Sequence, residues 1–192
     1  MADFAKAHRI SMSIEGGYSN DPNDAGGETW HGISRRYHPD WPGWPIIDAE
    51  KQRGLGNLQS RLELNIPLGK LENEFYRVEF WDKIRGDQIQ DQAVADEIFD
   101  TSINMGIYQA VTFLQTALNC LNRNQKNYGD ISEDGDLGAN TLTALGNHLA
   151  AEKGDHAVLM KLMNLLQGMH YVQYTRKHPD QEHFLRGWLK RA

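Results

Sequence analysis

The sequence has little cysteine, no long apolar run and no excess of positive charge. Cys120 is the single cysteine among 192 residues, which excludes an intramolecular disulfide, and its neighbours Leu118 and Leu121 predict a buried thiol. No run of about 18 apolar residues is present, so no membrane span is expected. The formal net charge of −6 argues against nucleic acid or an anionic membrane as a partner of the whole chain.

Motifs for export and for cofactors are also missing. The N-terminus lacks a basic segment followed by an apolar one, so no secretory signal is expected. No glycine-rich nucleotide loop and no His-Glu-x-x-His pair occur, which predicts that the protein uses no cofactor. Asp130-x-Ser132-x-Asp134-Gly135 matches the first half of a calcium loop. Thr141 stands where that loop needs a glutamate, so we predict no metal site.

What is present predicts a mainly α-helical protein. Apolar residues make up 40% of the chain, and they recur at helical spacing. A long loop, 16–45, follows the first helix, and we expect Trp41 and Trp44 to form a packed core within it. The predicted helices cover residues 3–14, 46–55 and 67–84, then 94–105, 110–121 and 142–149, and finally a segment from Asp155 to His178-Pro179.

The first helix ends at Glu15-Gly16-Gly17-Tyr18. A carboxylate at a helix end, beside a glycine-rich polar loop, is a candidate general acid over a cleft. Burial against apolar groups can keep such a carboxyl group protonated near neutral pH. Because a second carboxylate usually supports the first, Asp24, nine residues after Glu15, is the candidate partner, and Asp21 competes for that role.

The same stretch resembles the start of the family 108 glycoside hydrolases, which are lysozyme-like muramidases. The resemblance implies a lysozyme-like helical fold, with a small β-hairpin within 18–36. The motifs that carry it are Glu15-Gly-Gly-Tyr18, Asn20-Asp-Pro-x-Asp24, Gly26-Gly27-x-Thr29 and Gly32-Ile33-Ser34.

The order of Glu15, Asp24 and Thr29 is similar to the catalytic series of phage-type lysozymes, which implies catalytic roles for all three. The interval from Asp24 to Thr29 is one residue shorter than in that series, and Trp30 stands at the strict spacing. Tyr18 could bind substrate or orient Glu15 through its hydroxyl. The predicted substrate-binding residues, chosen as aromatic rings or hydrogen-bonding side chains in this loop, are Tyr18, Asn20, Asp21 and Trp30.

The second half resembles the helical peptidoglycan-binding region that follows the family 108 segment. The motifs are Asp100-x-x-x-Asn104-x-Gly106, Gln115 and Asp134-Gly135-x-x-Gly138-x-x-Thr141. We therefore expect a catalytic region at 1–90, a helical binding region at 91–170 and a basic C-terminal extension at 171–192, with the two halves packed together.

Together these resemblances imply a peptidoglycan hydrolase that cleaves the β-1,4 bond between N-acetylmuramic acid and N-acetylglucosamine, with Glu15 as general acid. The alternatives are a glycan-binding module without turnover and a secretion accessory protein. The expected partner is the peptidoglycan glycan strand. The chain is expected to be made in the cytoplasm and to reach the cell wall or periplasm through a holin or a secretion system. Phage lysis and secretion remain open as contexts.

Overall fold

The protein is mainly α-helical, as predicted. A computed structural model describes residues 1–12, 16–20, 27–54 and 56–190. Short strands are β1 (Tyr18–Ser19), β2 (Thr29–Trp30) and β3 (Ile33–Ser34), and Arg77–Trp81 forms a π-helical turn. In the described residues the α-helices are α1 (Phe4–Met12), α2 (Trp44–Arg53), α3 (Leu58–Glu63), α4 (Ile66–Tyr76), α5 (Gln92–Met105), α6 (Ile107–Leu121), α7 (Ala139–Ala151), α8 (Ala157–Lys177) and α9 (Glu182–Trp188).

Side-chain caps and glycines define several helix ends. The Asn57, Asn65 and Asp91 side chains accept hydrogen bonds from backbone N–H groups in the first turns of α3, α4 and α5, which satisfies donors that a helix leaves unpaired. Gly106 separates α5 from α6 with a φ of 86°, a backbone angle that favours glycine. The predicted end of this helix at 105 is confirmed.

The predicted hairpin is confirmed as a small antiparallel sheet with the order β1-β2-β3. Tyr18 pairs with Trp30, and Trp30 pairs with Ile33 on the next strand. The two residues between β2 and β3, His31 and Gly32, both have positive φ angles, 44° and 83°. Paired positive angles are typical of the tightest hairpin turns, which explains the glycine of the Gly32-Ile33-Ser34 motif.

The described chain divides into two compact units. One unit, Phe4–Glu79, contains α1, the sheet, α2, α3 and α4. The other contains Met1–Asp3 and the chain from Phe80 onward, with α5 to α9. In this second unit α5, α6 and α8 pack against one another, and α9 packs on α8. Within the part of the chain described, no helix is both long enough and apolar enough to cross a bilayer.

The predicted helix over 67–84 is observed as α4, Ile66–Tyr76, followed by a π-helical turn. The buried positions of α4 are Leu68, Glu72 and Tyr76, whereas Val78, two residues after α4, is 50% exposed. The π-helical turn at Arg77–Trp81 adds about one residue to a turn, so the helical phase shifts after Tyr76. The predicted helix over 67–84 is therefore confirmed as far as Trp81, and 82–84 form a turn instead.

The structure also bears on the predictions for Cys120, for the C-terminal segment and for two tryptophans. Cys120 is exposed, because it lies in the last turn of α6, off the buried stripe that contains Leu114 and Leu118. Within the predicted C-terminal extension, 171–192, α8 continues to Lys177 and α9 packs on α8. Trp41 and Trp44 are buried, as predicted, with 7% and 1% of their surfaces exposed.

Candidate active site

The sheet presents a cluster of charged side chains around Glu28, which we call the Glu28 cluster. The Tyr18 hydroxyl donates to Glu28 Oε1 at 2.9 Å. Arg35 donates to Glu28 Oε2 and Lys51 donates to Glu28 Oε1, both at 2.9 Å. Arg35 also donates twice to Asp48, at 2.8 and 2.6 Å. The cluster thus ties β1, the start of β2 and the end of β3 to α2.

The Glu28 cluster keeps the Glu28 carboxylate ionised. Partial burial alone would raise its pKa, but hydrogen bonds from Arg35, Lys51 and Tyr18 outweigh burial and hold the pKa of Glu28 below its usual value. Burial and the bond to Glu28 raise the pKa of Tyr18, so its hydroxyl keeps its proton. Glu28 is therefore suited to orient Tyr18 and unsuited to donate a proton near neutral pH.

Gln59 on α3 fixes the backbone at the beginning of β1. The Tyr18 N–H donates to Gln59 Oε1 at 2.6 Å, and Gln59 Nε2 donates to Glu63 on the same helix. A Cβ atom at Gly17 would overlap the Gln59 amide group. The absence of a side chain at Gly17 therefore leaves room for the Gln59 amide to reach the Tyr18 N–H.

A second cluster lies in the interior of the same unit, around Glu72 on α4. Glu72 is 6% exposed and accepts a hydrogen bond from Trp30 Nε1 at 2.9 Å. His31 Nδ1 lies 3.1 Å from Glu72, and His8 Nε2 on α1 lies 3.8 Å from it. The Tyr76 hydroxyl donates to the His31 carbonyl. This Glu72 cluster connects α1, the β2–β3 turn and α4.

The structure brings together only some of the predicted site residues. Glu15, Asp21 and Asp24 lie outside the described residues. Tyr18 is half-buried in β1, and Asn20 is exposed just after that strand. Their positions at the strand that follows Gly16-Gly17 are compatible with the predicted roles.

Thr29 and Trp30 form β2 and differ in exposure. Thr29 is half-buried and pairs with Ser19 and Ser34. Trp30 is 1% exposed, and its ring stacks on His31 with a centroid separation of 4.1 Å. In this structure Trp30 has no open face for a sugar ring. Its burial favours a structural role, because its indole N–H is already bonded to Glu72.

Sequence reasoning missed Glu28, Gln59 and Glu72. Glu28 occupies the variable position of Gly26-Gly27-x-Thr29, and no spacing rule connects it with Arg35 or Lys51. Glu72 carried a usable signal, because it lies one helical turn after Leu68 and one before Tyr76. An acidic residue on a buried stripe needs polar partners.

In the second unit, the motif residues of the binding-region resemblance hold a loop in place. Gln115 on α6 is 1% exposed, and its amide donates to Asp134, to the Asp136 carbonyl and to Thr141. Its oxygen accepts from the Gly135 N–H at 2.9 Å. The Gln115 bond is also the main reason why the pKa of Asp134 is lowered. These residues therefore stabilise the segment that precedes α7.

The helical fold, with a small sheet after its first helix, is that of a lysozyme-like protein. The chain belongs to the family described as Glycosyl hydrolase 108, whose model matches residues 9–106. A second family model, described as Predicted Peptidoglycan domain, matches residues 109–192. The two matches identify a peptidoglycan-acting glycoside hydrolase. The boundary at 90, the separate extension at 171–192 and the packing of the two halves remain predictions.

Comparison with solved structures supports the same fold. SagA of Brucella abortus is similar to this chain with a TM-score of 0.60 and 23% identity, over 98% of this chain and 88% of that chain. At this identity the likeness concerns the fold alone. A comparison with curated protein sequences gives no match.

Proposed function

We propose that the protein is an N-acetylmuramidase that cleaves the β-1,4 bond between N-acetylmuramic acid and N-acetylglucosamine. Glu15 is the general acid, Asp24 is the supporting carboxylate, and Thr29 completes the group. The observation that carries the proposal is the hydrolase-family match over 9–106, which includes Glu15-Gly16-Gly17-Tyr18.

The lowered pKa of Glu28 supports Glu15 as the proton donor. Glycosidic cleavage needs a carboxyl group that is protonated near neutral pH. Glu28 contacts Tyr18, but its lowered pKa makes it a poor donor. Glu72 is buried and already accepts a hydrogen bond from Trp30. We therefore assign proton transfer to Glu15 and the orientation of Tyr18 to Glu28.

The substrate contacts follow from exposure. Tyr18 keeps part of its surface open and Asn20 is exposed, so both can contact the glycan, and Asp21 is proposed to join them. Trp30 is proposed to support the glycan-contacting surface from the protein interior, through its hydrogen bond to Glu72. We further propose that a holin or a secretion system delivers the chain to the wall.

Identification of the released fragments tests the bond that is cleaved. Purified peptidoglycan is digested, the products are reduced with borohydride, and their masses are measured. A muramidase leaves muramic acid at the reducing end, so muramitol is the expected terminal sugar. Glucosaminitol at that position would contradict the proposal. Binding to the wall without fragment release would establish the alternative, a glycan-binding module, which the match at 109–192 favours.

A further inference from the structure

The second unit contains a pocket that the catalytic proposal does not use. It lies between the end of α5, the C-terminal half of α8, and the segment that leads into and through α9. The pocket has a volume of about 320 Å³ and is lined mainly by Asn104, His170, Tyr174, Gln181 and Trp188. Its volume falls at the small end of ligand pockets, which range over about 300–1,000 Å³. A ligand the size of one sugar ring fits better than a long segment.

The pocket combines aromatic rings with amide groups. Tyr174 is 40% exposed, and its ring is held by His178, stacked at 4.2 Å, and by Trp188 at 6.0 Å. Trp188 stacks in turn on Tyr171, which is buried. Rings held in this way lose little freedom when a ligand binds. They suit the apolar C–H groups of a pyranose, while the Gln181 amide can pair with a hydroxyl or an acetamido group.

The chain segment that forms one side of the pocket has a charge opposite to that of the whole protein. The net charge of the protein is −6, yet the end of α8 and α9 carry more basic than acidic side chains. This local excess of positive charge favours an anionic ligand near this segment. The basic residues are Arg176, Lys177, Arg186 and Lys190, and the acidic ones are Asp180 and Glu182.

We propose that this pocket is an accessory binding site for peptidoglycan, separate from the residues of the hydrolase reaction. One N-acetylated amino-sugar ring occupies the pocket beside Tyr174 and Gln181. The lactyl or stem-peptide carboxylates of the same strand lie toward Arg186 and Lys190. The proposal rests on the proposed function for its class of ligand, because both sites are assigned to the same polymer.

Two pocket variants of the full chain test the site, with one matched control. Tyr174→Ala removes an exposed ring of the pocket, and Gln181→Ala removes one of its side-chain amides. Tyr108→Ala is the control, since Tyr108 is a 64% exposed tyrosine of the same unit that does not line the pocket. Binding is measured by co-sedimentation with insoluble peptidoglycan stripped of attached polymers, and by titration with the disaccharide N-acetylglucosaminyl-N-acetylmuramic acid carrying its stem peptide. That disaccharide lacks the bond proposed to be cleaved.

We expect each pocket variant to bind stripped wall about tenfold more weakly, the effect of about 1.4 kcal/mol, and the control to bind like the parent. Hydrolysis of a short soluble glycan should stay within twofold of the parent in all three variants. Unchanged wall binding by both pocket variants, or an equal loss in the control, would overturn the proposal. So would binding only to unstripped wall, which would indicate another anionic polymer.

If the Tyr174→Ala protein unfolds at a lower temperature than the parent, Gln181→Ala still tests the site. Failure of the proposed function has a separate signature, because the parent would then release no reducing ends from wall to which it still binds.

Discussion

At the scale of single residues, variants of Glu28 and Tyr18 test how much the candidate active site depends on the Glu28 cluster. Glu28→Gln keeps the size of the side chain but leaves Arg35 and Lys51 beside a neutral group. We expect a loss of about 1–3 kcal/mol in the free energy of unfolding, together with weaker activity because Tyr18 loses its orientation.

Tyr18→Phe removes a single hydroxyl and keeps the ring, so we expect a smaller effect on both quantities. Urea unfolding and wall-turbidity assays of the two variants check this ranking. A Glu28→Gln protein as stable and active as the parent would show that the cluster is dispensable.

Glu97 on α5 provides a pH-dependent test in the second unit. Burial raises the pKa of Glu97 to about 7, opposed by a hydrogen bond from Thr101 and reinforced by Asp100. The folded protein therefore holds a proton on Glu97 that the unfolded chain releases at lower pH. The contribution of Glu97 to the free energy of unfolding is fully present below the pKa that this group has in the unfolded chain. It is lost as the pH rises through about 7.

We predict that Glu97→Gln stabilises the protein at pH 8 by about 2–3 kcal/mol, since one pKa unit corresponds to about 1.4 kcal/mol. At pH 5 the gain should be less than half of that. Urea unfolding of parent and variant at both pH values gives the comparison. A gain that is equal at the two pH values would contradict the assigned pKa shift.

At the scale of elements, the junction before β1 depends on the contact between Gly17 and Gln59. Gly17→Ala would place a Cβ atom on the Gln59 amide. Because that amide ends a flexible side chain, we expect it to move away and lose its bond to the Tyr18 N–H. The expected result is a drop in activity of several-fold, with little change in melting temperature.

Gln59→Ala provides the matched control for this junction, because it removes the same bond without adding an atom. The double variant Gly17→Ala/Gln59→Ala should then be no worse than Gln59→Ala alone. Additive losses would mean that Gly17 acts through some other contact. Kinetic assays on wall suspensions, with melting curves alongside, distinguish these outcomes.

The elements themselves were largely predictable, whereas the partners within the site were not. Helical periodicity located α1, α5, α6 and α8, and the motif resemblance located the sheet, because these features depend on residues close in sequence. The short helix α3 lacks enough periods to be recognised. Glu28 and Gln59 depend on partners 23 and 41 residues away, which no local pattern encodes.

At the scale of the whole molecule, the first three residues belong to the unit that begins at Phe80. The Ala2 N–H donates to the Ile89 carbonyl at 2.8 Å, and the Asp3 N–H donates to Gln92 at 2.8 Å. A fragment ending at residue 90 therefore lacks Gln92, the hydrogen-bond partner of the Asp3 N–H. Small domains also bury a lower fraction of their surface.

We predict that the 1–90 fragment lacks a cooperative melting transition and is inactive on a short soluble glycan. Circular dichroism melting curves of the fragment and of the full chain check the first part. A fragment that melts cooperatively and cleaves the short glycan would show that the hydrolase half folds independently.

Proton transfer by Glu15 underlies the proposed reaction, and one pair of variants tests it. Glu15→Gln keeps the shape of the side chain and removes the transferable proton, while Glu74→Gln makes the same change at an exposed glutamate of α4. Release of reducing ends from purified peptidoglycan is the measurement, with melting curves to confirm folding. We predict that Glu15→Gln loses activity by about 100- to 10,000-fold and that Glu74→Gln keeps it. A folded Glu15→Gln protein with activity within a few-fold of the parent would show that Glu15 is not the proton donor.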